Sequence, residues 1–388
     1  MKERPLDLVF LGLSLSSSWG NGHATTYRAL LRGLAGHGHR VLFLERDMPW
    51  YASARDLVQP DFCELEFYHG VEELHSRFGA RIAAADAVVV GSYVPDGIGV
   101  LELVNRTAGG VRAFYDIDTP ITVAALETDR CTYLAAEQVP LLDLYLSFTG
   151  GPLLRHLAQR FGARRPCALY CSVDAARYRP ALLPIRWDLG YLGTYAEDRQ
   201  ATLQRLLIEP ARRLPDRRFV VAGPQYPGSI DWPANVERIE HLPPSEHVAF
   251  YCRQRFTLNV TRADMIRTGW SPSVRLFEAA ACGTPIISDY WDGLDALLPH
   301  ADAVLVAEHA DDVVTELREM DAISRARIGE NARRIVLNEH TGAARGRELE
   351  RYIRAVLNSD EAQTSPVPQQ YTLPDSTVRR RIPRQFPL

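Results

Sequence analysis

The sequence predicts an α/β protein made of two doubly wound domains, and three observations support this. The chain has 388 residues, about twice the length of a typical domain. Short apolar runs rich in Val, Leu and Phe alternate with helical patterns, which is typical of parallel βαβ units. The alternation stops near residue 180 and then begins again, so we expect two sheets in series.

The first set of strands lies before residue 150. The predicted strands are Asp7–Leu13, Arg40–Glu45, Phe62–Phe67, Ala87–Gly91, Arg112–Tyr115 and Leu142–Phe148. The predicted helices between and after them include Ala24–Ala35, Val71–Ala85 and Pro152–Arg160. Because strands alternate with helices, we predict a Rossmann-like N-terminal domain, residues 1–180, with helices on both faces of its sheet.

The second set of strands begins after a segment without periodicity, which contains Pro180 and Pro184. The predicted strands are Asp188–Leu192, Arg218–Ala222, Val236–Glu240, Phe256–Val260, Pro285–Ser288 and Ala303–Val306. The predicted helices are Arg199–Arg213, Ser245–Cys252 and Ser273–Cys282. We therefore predict a second Rossmann-like domain at residues 181–340.

The C-terminal region divides into a helix and a tail. An apolar stripe formed by Leu349, Tyr352, Ile353, Val356 and Leu357 predicts an amphipathic helix at residues 341–358. Residues 359–388 are rich in proline and arginine, which is typical of a disordered tail. A solvated tail is the simpler interpretation, and contact with an anionic lipid surface or a partner is the alternative.

Composition excludes several classes of function. The net charge of −4 argues against a general nucleic-acid binder. Lys2 is the only lysine, so a phosphate must be bound by arginine or backbone amides. The six cysteines lack the spacing of a zinc site and are expected to be reduced. No secretory signal or transmembrane run is apparent, so we expect a cytoplasmic protein; the sequence does not indicate its oligomeric state.

The stretch from Ser271 to Pro285 predicts a helix whose N-terminus suits a phosphate. Ser271 suits the N-cap, Pro272 the first helical position, and Gly283 the residue after the C-terminus. Free N–H groups and the positive end of the helix dipole attract a diphosphate there. Glu278 lies one turn into this helix. Its carboxylate either pairs with Arg275 or accepts the ribose hydroxyls of a nucleotide while Arg275 faces phosphate, and the spacing leaves both open.

This stretch also carries a resemblance to a known family. Arg275-Leu276-Phe277-Glu278-Ala279-Ala280-Ala281-Cys282-Gly283-Thr284-Pro285 resembles the donor-site helix of GT-B glycosyltransferases, and more closely that of the CgeB-like, family-1/4-type enzymes. Three further segments are similar to the family and occur in its order: Cys171–Asp174 with Tyr178–Pro180, Gly190–Tyr195, and Val221–Pro224. The resemblance implies a GT-B architecture in which the two domains face each other across a cleft.

The resemblance also implies a function. We expect a hexosyltransferase-like enzyme (EC 2.4) that moves a sugar from a nucleoside diphosphate sugar to a hydroxyl-bearing acceptor without metal or other cofactor. The residues expected to bind the donor are Glu278, Arg275, Ser273, Val274, Arg262, Gly193, Thr194 and Gly223. Retaining GT-B enzymes often carry a second glutamate at the position of Trp270, so the stereochemical outcome is open. Trp270 is expected at the cleft, against the sugar or as a packing residue.

The loop after the first strand is expected to face the same cleft. Gly20 and Gly22 begin a dinucleotide fingerprint, with Glu45 as its ribose acid, but Thr25 replaces the third glycine. In GT-B enzymes the equivalent glycine-bearing loop faces the interdomain cleft, so the resemblance implies that Asn21 and Gly22 lie on the acceptor side of the cleft. His23 is a candidate catalytic base, and a capping or buried histidine is the alternative.

Asp116 and Asp118 form an Asp-x-Asp motif after the fifth strand. In GT-A glycosyltransferases such a motif holds a metal, but the duplicated pattern here favours GT-B, and Asp118 or Thr119 suits the cap of a helix beginning at Pro120. We expect no metal and keep Asp116 as a second candidate base. The alternative functions are a nucleotide-sugar epimerase or phosphorylase of the same fold, and a noncatalytic, carbohydrate-binding coat-associated protein. A nicotinamide oxidoreductase ranks last.

Overall fold

The computed structural model describes residues 4–19 and 22–361, and its first sheet has seven strands. These are β1 (Asp7–Gly12), β2 (Arg40–Arg46), β3 (Glu64–Tyr68), β4 (Ala87–Gly91), β5 (Val111–Asp116), β6 (Leu144–Ser147) and β7 (Pro166–Ala168). Their order is β3-β2-β1-β4-β5-β6-β7, and all neighbours are parallel. The six predicted strands are present. The prediction omits β7 because a three-residue edge strand that begins with proline has no alternation.

Helices cover both faces of this sheet. They are α1 (His23–Gly36), α2 (Pro49–Ala52), α3 (Val71–Ala84), α4 (Gly97–Thr107), α5 (Thr119–Glu127) and α6 (Pro152–Phe161), with a 3₁₀ turn at Ala136–Leu141. Side chains of β1 alternate between two apolar clusters. Val9 and Leu11 pack in one, and Leu8 and Phe10 in the other. This alternation is what a strand buried on both faces requires.

The second sheet has six strands and is again parallel throughout. They are β8 (Trp187–Leu192), β9 (Phe219–Ala222), β10 (Val236–Ile239), β11 (Gln254–Asn259), β12 (Ile286–Ser288) and β13 (Leu305–Val306), in the order β10-β9-β8-β11-β12-β13. Its helices are α7 (Glu197–Leu203), α8 (Glu209–Arg213), α9 (His247–Cys252), α10 (Ala263–Thr268), α11 (Val274–Ala281), α12 (Leu294–Leu297), α13 (Ala310–Glu319) and α14 (Ala322–Glu339). A π-helical turn, Gln204–Ile208, joins α7 to α8, and a 3₁₀ turn, Pro244–Glu246, precedes α9. The predicted pair of doubly wound sheets is confirmed.

The last helix, α15 (Gly342–Glu361), returns to the first domain. Its residues Leu349, Ile353 and Val356 are buried in the same apolar cluster as Leu30 and Leu34 of α1. The predicted apolar stripe therefore completes the core of the N-terminal domain. Most of the predicted tail, from residue 362 onward, lies outside the described residues. Among the described helices, none has the length and apolar character needed to cross a membrane.

Candidate functional site

The loop after β6 and the loop between α10 and α11 meet where the first domain contacts the second. Thr149, after β6, and Ser271, before α11, share a 2.8 Å hydrogen bond between buried hydroxyl groups. The N–H of Gly150 donates to the carbonyl of Trp270 at 2.9 Å. Ligands of open parallel sheets bind in the crevice outside the carboxyl ends of the strands. The residues around this contact therefore form the candidate site.

Helix α11 begins later than predicted. Ser273 is its N-cap, because the Ser273 Oγ accepts a hydrogen bond from the N–H of Arg275 at 3.2 Å. The prediction of Ser271 as the cap is wrong, since the Ser271 hydroxyl is bound to Thr149 of the other domain. Gly283 has a φ of +73°, the left-handed conformation expected just after a helix C-terminus.

The Arg275 side chain is fixed against the carboxyl end of β8. Its Nε donates to the carbonyl of Leu192 at 2.5 Å, and its Nη1 donates to Oδ1 of Asn259 at 3.0 Å. Its guanidinium carbon lies 4.9 Å from the centroid of the Tyr191 ring. These contacts hold a buried cation at the N-terminus of α11. A fixed guanidinium beside free helix N–H groups is an arrangement that binds phosphate.

Two glycines allow the backbone to approach this cation closely. A Cβ on Gly193 would lie 3.0 Å from Nη2 of Arg275, and a Cβ on Gly223 would lie 2.1 Å from the Gly193 carbonyl oxygen. Gly223 also has a φ of +139°. The exposed Thr194 follows, and its carbonyl accepts from Nη2 of Arg199 at 2.6 Å. Arg199, on α7, is absent from the predicted site because the segment that resembles the family there, Gly190–Tyr195, ends before α7 begins.

Glu278 does not pair with Arg275. Its buried carboxylate accepts a 3.1 Å hydrogen bond from the Tyr251 hydroxyl, and Nδ1 of His247 lies 3.8 Å from the same oxygen. Tyr178 in turn contacts Nδ1 of His247 at 3.2 Å. Burial lowers the pKa of His247, which favours the neutral ring. The sequence left two interpretations of Glu278 open, an i,i+3 ion pair with Arg275 and a ligand of a ribose. The ion pair is not formed among the described side chains.

Arg262 is the N-cap residue of α10 and is largely exposed. Its Nε lies 3.8 Å from a carboxylate oxygen of Asp198, so a nearby negative charge partly neutralises it. Arg262 thus adds a partly exposed positive charge after β11.

Trp270 packs between the two domains. A Cβ on Gly151 of the first domain would lie 2.3 Å from the indole, and a Cβ on Gly293 of the second would lie 2.5 Å from it. The N–H of Trp270 donates to the carbonyl of Asp292 at 2.6 Å, and its φ is +50°. This left-handed conformation is costly for a bulky residue. The surrounding contacts compensate for it, and they give Trp270 a packing role at the domain contact.

His23 is the first residue of α1 and is buried at the same cleft. Its Nε2 lies 3.5 Å from Oδ2 of Asp118, and its buried Nδ1 has no hydrogen-bond partner among the described residues. The Tyr93 ring packs edge-on against it at 5.4 Å. A proton on Nε2, facing Asp118, leaves a lone pair on Nδ1. Gly22 precedes His23 as the N-cap; Asn21, also predicted here, lies outside the described residues.

Asp118 precedes α5 as the sequence predicts, but its side chain makes no capping hydrogen bond. The carboxylate faces His23 instead. The prediction that the Asp118 side chain caps α5 is therefore wrong. The pairing with His23 is the feature that sequence reasoning missed, because the two residues come from different βα units.

The structure does not place Asp116 in the cleft, which corrects its selection as a candidate base. Its carboxylate is fully buried, and both oxygens are engaged. The Tyr145 hydroxyl donates to Oδ2 at 2.6 Å and the Thr122 hydroxyl to Oδ1 at 2.7 Å. Burial raises the pKa of Asp116 to about 6. Asp116 is thus a core carboxyl group beneath the site.

Asp116→Asn is expected to gain stability relative to wild type as pH rises. The folded-state pKa of about 6 exceeds the unfolded value near 4, so the wild-type contribution is fully present below pH ~4 and is lost as pH rises through 6. That loss is at most about 3 kcal/mol. Asparagine does not titrate, so the variant does not show this loss. The melting temperature of the variant relative to wild type should therefore rise from pH 4.5 to pH 7.5. The exposed Asp129→Asn is the control, and a pH-independent difference for Asp116→Asn would contradict the assignment.

Glu45 organises the loop after β1 rather than binding a ribose. Its buried carboxylate accepts hydrogen bonds from the N–H groups of Leu15 and Ser16 at 2.6 and 2.8 Å, and from the hydroxyls of Ser14 and Ser16 at 3.1 and 2.7 Å. These bonds occupy the carboxylate. The incomplete dinucleotide fingerprint therefore does not correspond to a dinucleotide site.

One group of side chains among the described residues is close enough together to hold a metal, namely His37, His39 and Glu350. It lies before β2, at the amino ends of the strands and away from the cleft. The N–H of Leu6 donates to Nδ1 of His39 at 3.1 Å, so the His39 proton lies on Nε2, which is 3.2 Å from Glu350. Metal binding at Nε2 would require removal of that proton, and a structural contact between α15 and the first domain is the better interpretation.

We compared the chain with known protein families and solved structures. Residues 199–351 match the family described as Glycosyl transferase-like, and no curated protein matches the chain in sequence. The chain is similar in structure to sucrose-phosphate synthase from Thermosynechococcus elongatus, with a TM-score of 0.67 and 14% identity over 91% of this chain and 100% of that one. It is also similar to Anabaena HepE in complex with UDP and glucose, with a TM-score of 0.61 and 11% identity over 90% and 100%.

A third similar structure is an alpha-glucosyltransferase in complex with UDP-glucose and DNA containing an abasic site. Its TM-score is 0.67, with 12% identity over 90% of this chain and 99% of that one. At such identities a shared fold does not by itself establish a shared function. The protein has the GT-B fold, with two Rossmann-like domains, and its residues 199–351 match the glycosyl transferase-like family.

Proposed function

We propose that this protein is a glycosyltransferase that moves a sugar from a nucleoside diphosphate sugar to a hydroxyl group of an acceptor, without a metal ion. The observation that carries the proposal is the arrangement of α11, which presents a buried carboxylate without a paired cation, Glu278, and a fixed cation, Arg275. This helix lies within the glycosyl transferase-like match. Its sequence supports the narrower proposal of a CgeB-like, hexose-transferring enzyme.

The donor would lie across the carboxyl ends of β8 and β9. In this proposal Glu278 accepts the ribose hydroxyls, and the diphosphate contacts Arg275, the Ser273 hydroxyl and the free N–H groups at Val274. In this proposal the backbones of Gly193, Thr194 and Gly223 line the donor site beside Arg275. Arg199 and Arg262 add positive charge at the edge. Helix N–H groups and arginine together stabilise the charge that develops on the leaving diphosphate.

The acceptor would bind on the first domain, beside Gly22 and His23. In this proposal the His23 imidazole takes the proton from the acceptor hydroxyl, and the Asp118 carboxylate, 3.5 Å from Nε2, stabilises the imidazolium that forms. The edge of the Tyr93 ring restricts the orientation of the imidazole. The contact between Thr149 and Ser271 keeps the base and the donor helix on opposite sides of one cleft.

Glu278→Gln is expected to bind UDP about 10- to 100-fold more weakly than wild type, since a hydrogen bond to a charged group contributes roughly 1.5–3 kcal/mol. UDP is the first nucleotide to measure because solved structures with this fold contain UDP or UDP-glucose. Titration calorimetry with UDP and with 2′,3′-dideoxy-UDP separates ribose recognition from a general effect. The dideoxy analogue should bind variant and wild type with similar affinity.

The control is Glu339→Gln, on the exposed face of α14, which should leave both affinities unchanged. An equal loss of UDP and dideoxy-UDP affinity in Glu278→Gln would refute ribose binding by this carboxylate. Enzymatic turnover is tested separately by release of nucleoside diphosphate from a UDP-sugar over a panel of hydroxyl acceptors. Tight binding with no release on any acceptor would instead support the noncatalytic alternative.

A further inference from the structure

Two exposed tryptophans lie at the carboxyl edge of the first sheet. Trp19 is in the loop after β1, and Trp50 is the second residue of α2, which follows β2. Their exposed fractions are 62% and 51%. Strands β1 and β2 are parallel neighbours, and His23 begins α1 at the same edge. The two indoles therefore share this edge of the sheet with the proposed catalytic base.

Hydrogen bonds join the two loops, so the exposure of the indoles does not result from fraying. The N–H of Trp19 donates to Ser17 Oγ at 3.3 Å. The Ser17 hydroxyl in turn donates to the carbonyl of Ala54 at 2.8 Å, shortly after the end of α2, which carries Trp50. Exposed apolar residues are usually scattered singly, whereas these two indoles are displayed on joined loops.

The charged side chains that hold these loops are paired. Arg55 donates to Asp47 Oδ1 at 2.6 Å, and Arg28 of α1 forms two hydrogen bonds with Asp56, of 2.7 and 2.9 Å. These arginines are neutralised, so they do not supply the excess positive charge that attracts an anionic lipid surface or a nucleic acid. Asp47 Oδ2 has no hydrogen-bond partner among the described residues and can accept from a ligand hydroxyl. A neutral ligand rich in hydroxyl groups suits this surface.

The exposed aromatic area is too small for a stable protein interface. A whole tryptophan side chain buries roughly 150–250 Å², so the exposed parts of the two indoles amount to less than about 300 Å². A stable protein interface buries about 800 Å² on each partner. A pyranose ring, by contrast, presents one face of C–H groups that packs on a single indole, and its hydroxyl groups project from the rim. The size and the polarity of the surface fit a saccharide.

We propose that Trp19 and Trp50 form a saccharide-binding surface, and that the acceptor is a sugar whose ring stacks on an indole. Asp47 accepts a hydrogen bond from one of its hydroxyl groups. The hydroxyl that reacts points toward His23, at the same edge of the sheet. The role of this sugar as acceptor rests on the proposed function, whereas its binding to the two tryptophans does not.

The first test is saturation-transfer NMR on the full-length protein, without a donor, with maltotriose, cellotriose, mannotriose or chitotriose. Wild type should transfer saturation to the ring C–H protons of at least one of these sugars. Titration of that sugar should show an affinity about 3- to 10-fold lower in Trp19→Ala and in Trp50→Ala, the range expected for the loss of one aromatic contact. The phenylalanine variants should retain most of the affinity, and Ile323→Ala, at an exposed apolar residue of α14, is the control.

Two results would overturn the proposal. One is the absence of saturation transfer to all four sugars. The other is an equal sugar affinity in wild type and both alanine variants. Sedimentation of wild type with phosphatidylglycerol vesicles, in place of sugar binding, would assign the indoles to a membrane surface instead.

The second test is kinetic and separates this inference from the proposed function. With a UDP-sugar that wild type uses, Trp19→Ala and Trp50→Ala should raise the KM for the bound saccharide about 3- to 10-fold. Hydrolysis of the donor without acceptor should keep its wild-type rate, because the proposed donor contacts lie on the second domain. Sugar binding without any release of nucleoside diphosphate would refute the proposed function and leave the saccharide-binding surface standing. Release that no bound saccharide accelerates would refute its role as acceptor.

Discussion

Replacing His23 by glutamine is expected to lower kcat by about 100- to 10,000-fold, the range in which a positioned general base contributes. His23 lies on the first domain, and the proposed nucleotide contacts lie on the second. The affinity for UDP should therefore stay within about twofold of wild type, since only an interaction with the reacting acceptor is lost. Initial rates of nucleoside diphosphate release and titration with UDP measure the two quantities separately.

The matched control for this prediction is His156→Gln, on α6 of the same domain. The side chain of His156 is partly exposed, and its Nε2 lies 2.9 Å from Glu127, at the end of α5 opposite to Asp118. It should keep both kcat and UDP affinity. Full turnover in His23→Gln would refute the assignment of the base, and parallel loss of turnover and UDP affinity would show that His23 acts through the fold instead.

The strands were predictable because buried parallel strands carry a strong local signal. Central strands such as β1 and β4 contain a short run of Val, Leu or Phe. Several helices carry no such signal. Helices α2, α10 and α12 have four to six residues, too few to display a period of 3.6. Helix α4 begins with Gly97, where a Cβ would lie 2.5 Å from a backbone oxygen of Tyr133, so close packing selects a residue that disfavours helix.

Helix α11, the proposed donor-binding helix, was identifiable from sequence because its features are local. The contacts that decide its chemistry are not. Arg275 is held by Leu192, which is 83 residues away in sequence, and this long-range bond is why the local Arg275–Glu278 pair does not form. Glu278 is contacted by Tyr251, from α9. Contacts between side chains from different βα units cannot be predicted from the spacing of residues within one motif.

The Asp-x-Asp motif shows the same limit in the first domain. Asp116 is the last residue of β5 and points into the core, toward Tyr145. Asp118 lies two residues past the strand end and faces His23. Sequence places both carboxylates at the carboxyl end of a strand, and only the packing of the neighbouring strand and helix separates a core acid from a cleft acid.

Gly33→Ala is expected to destabilise the first domain by about 3 kcal/mol, near the upper end of the usual cost of overpacking. A Cβ at Gly33 of α1 would lie 2.0 Å from the carbonyl oxygen of Gly342 and 2.7 Å from the amide nitrogen of Ala343, both on α15. These are backbone atoms, which cannot rotate away as a flexible side chain does. The two helices must separate, and the apolar contacts of Leu349 and Ile353 with the first domain loosen with them.

Gly36→Ala makes the same chemical change three residues later on α1, where an added Cβ meets no atom within 4 Å. Alanine restricts the unfolded chain equally in both variants, so the difference between their melting temperatures reports the contact of α1 with α15 alone. Gly36→Ala should be neutral or stabilising by up to about 1 kcal/mol, and Gly33→Ala should melt at least 5 °C lower, at roughly 2–4 °C per kcal/mol for a domain of this size. Equal melting temperatures would mean that α15 is not held against α1 at this crossing.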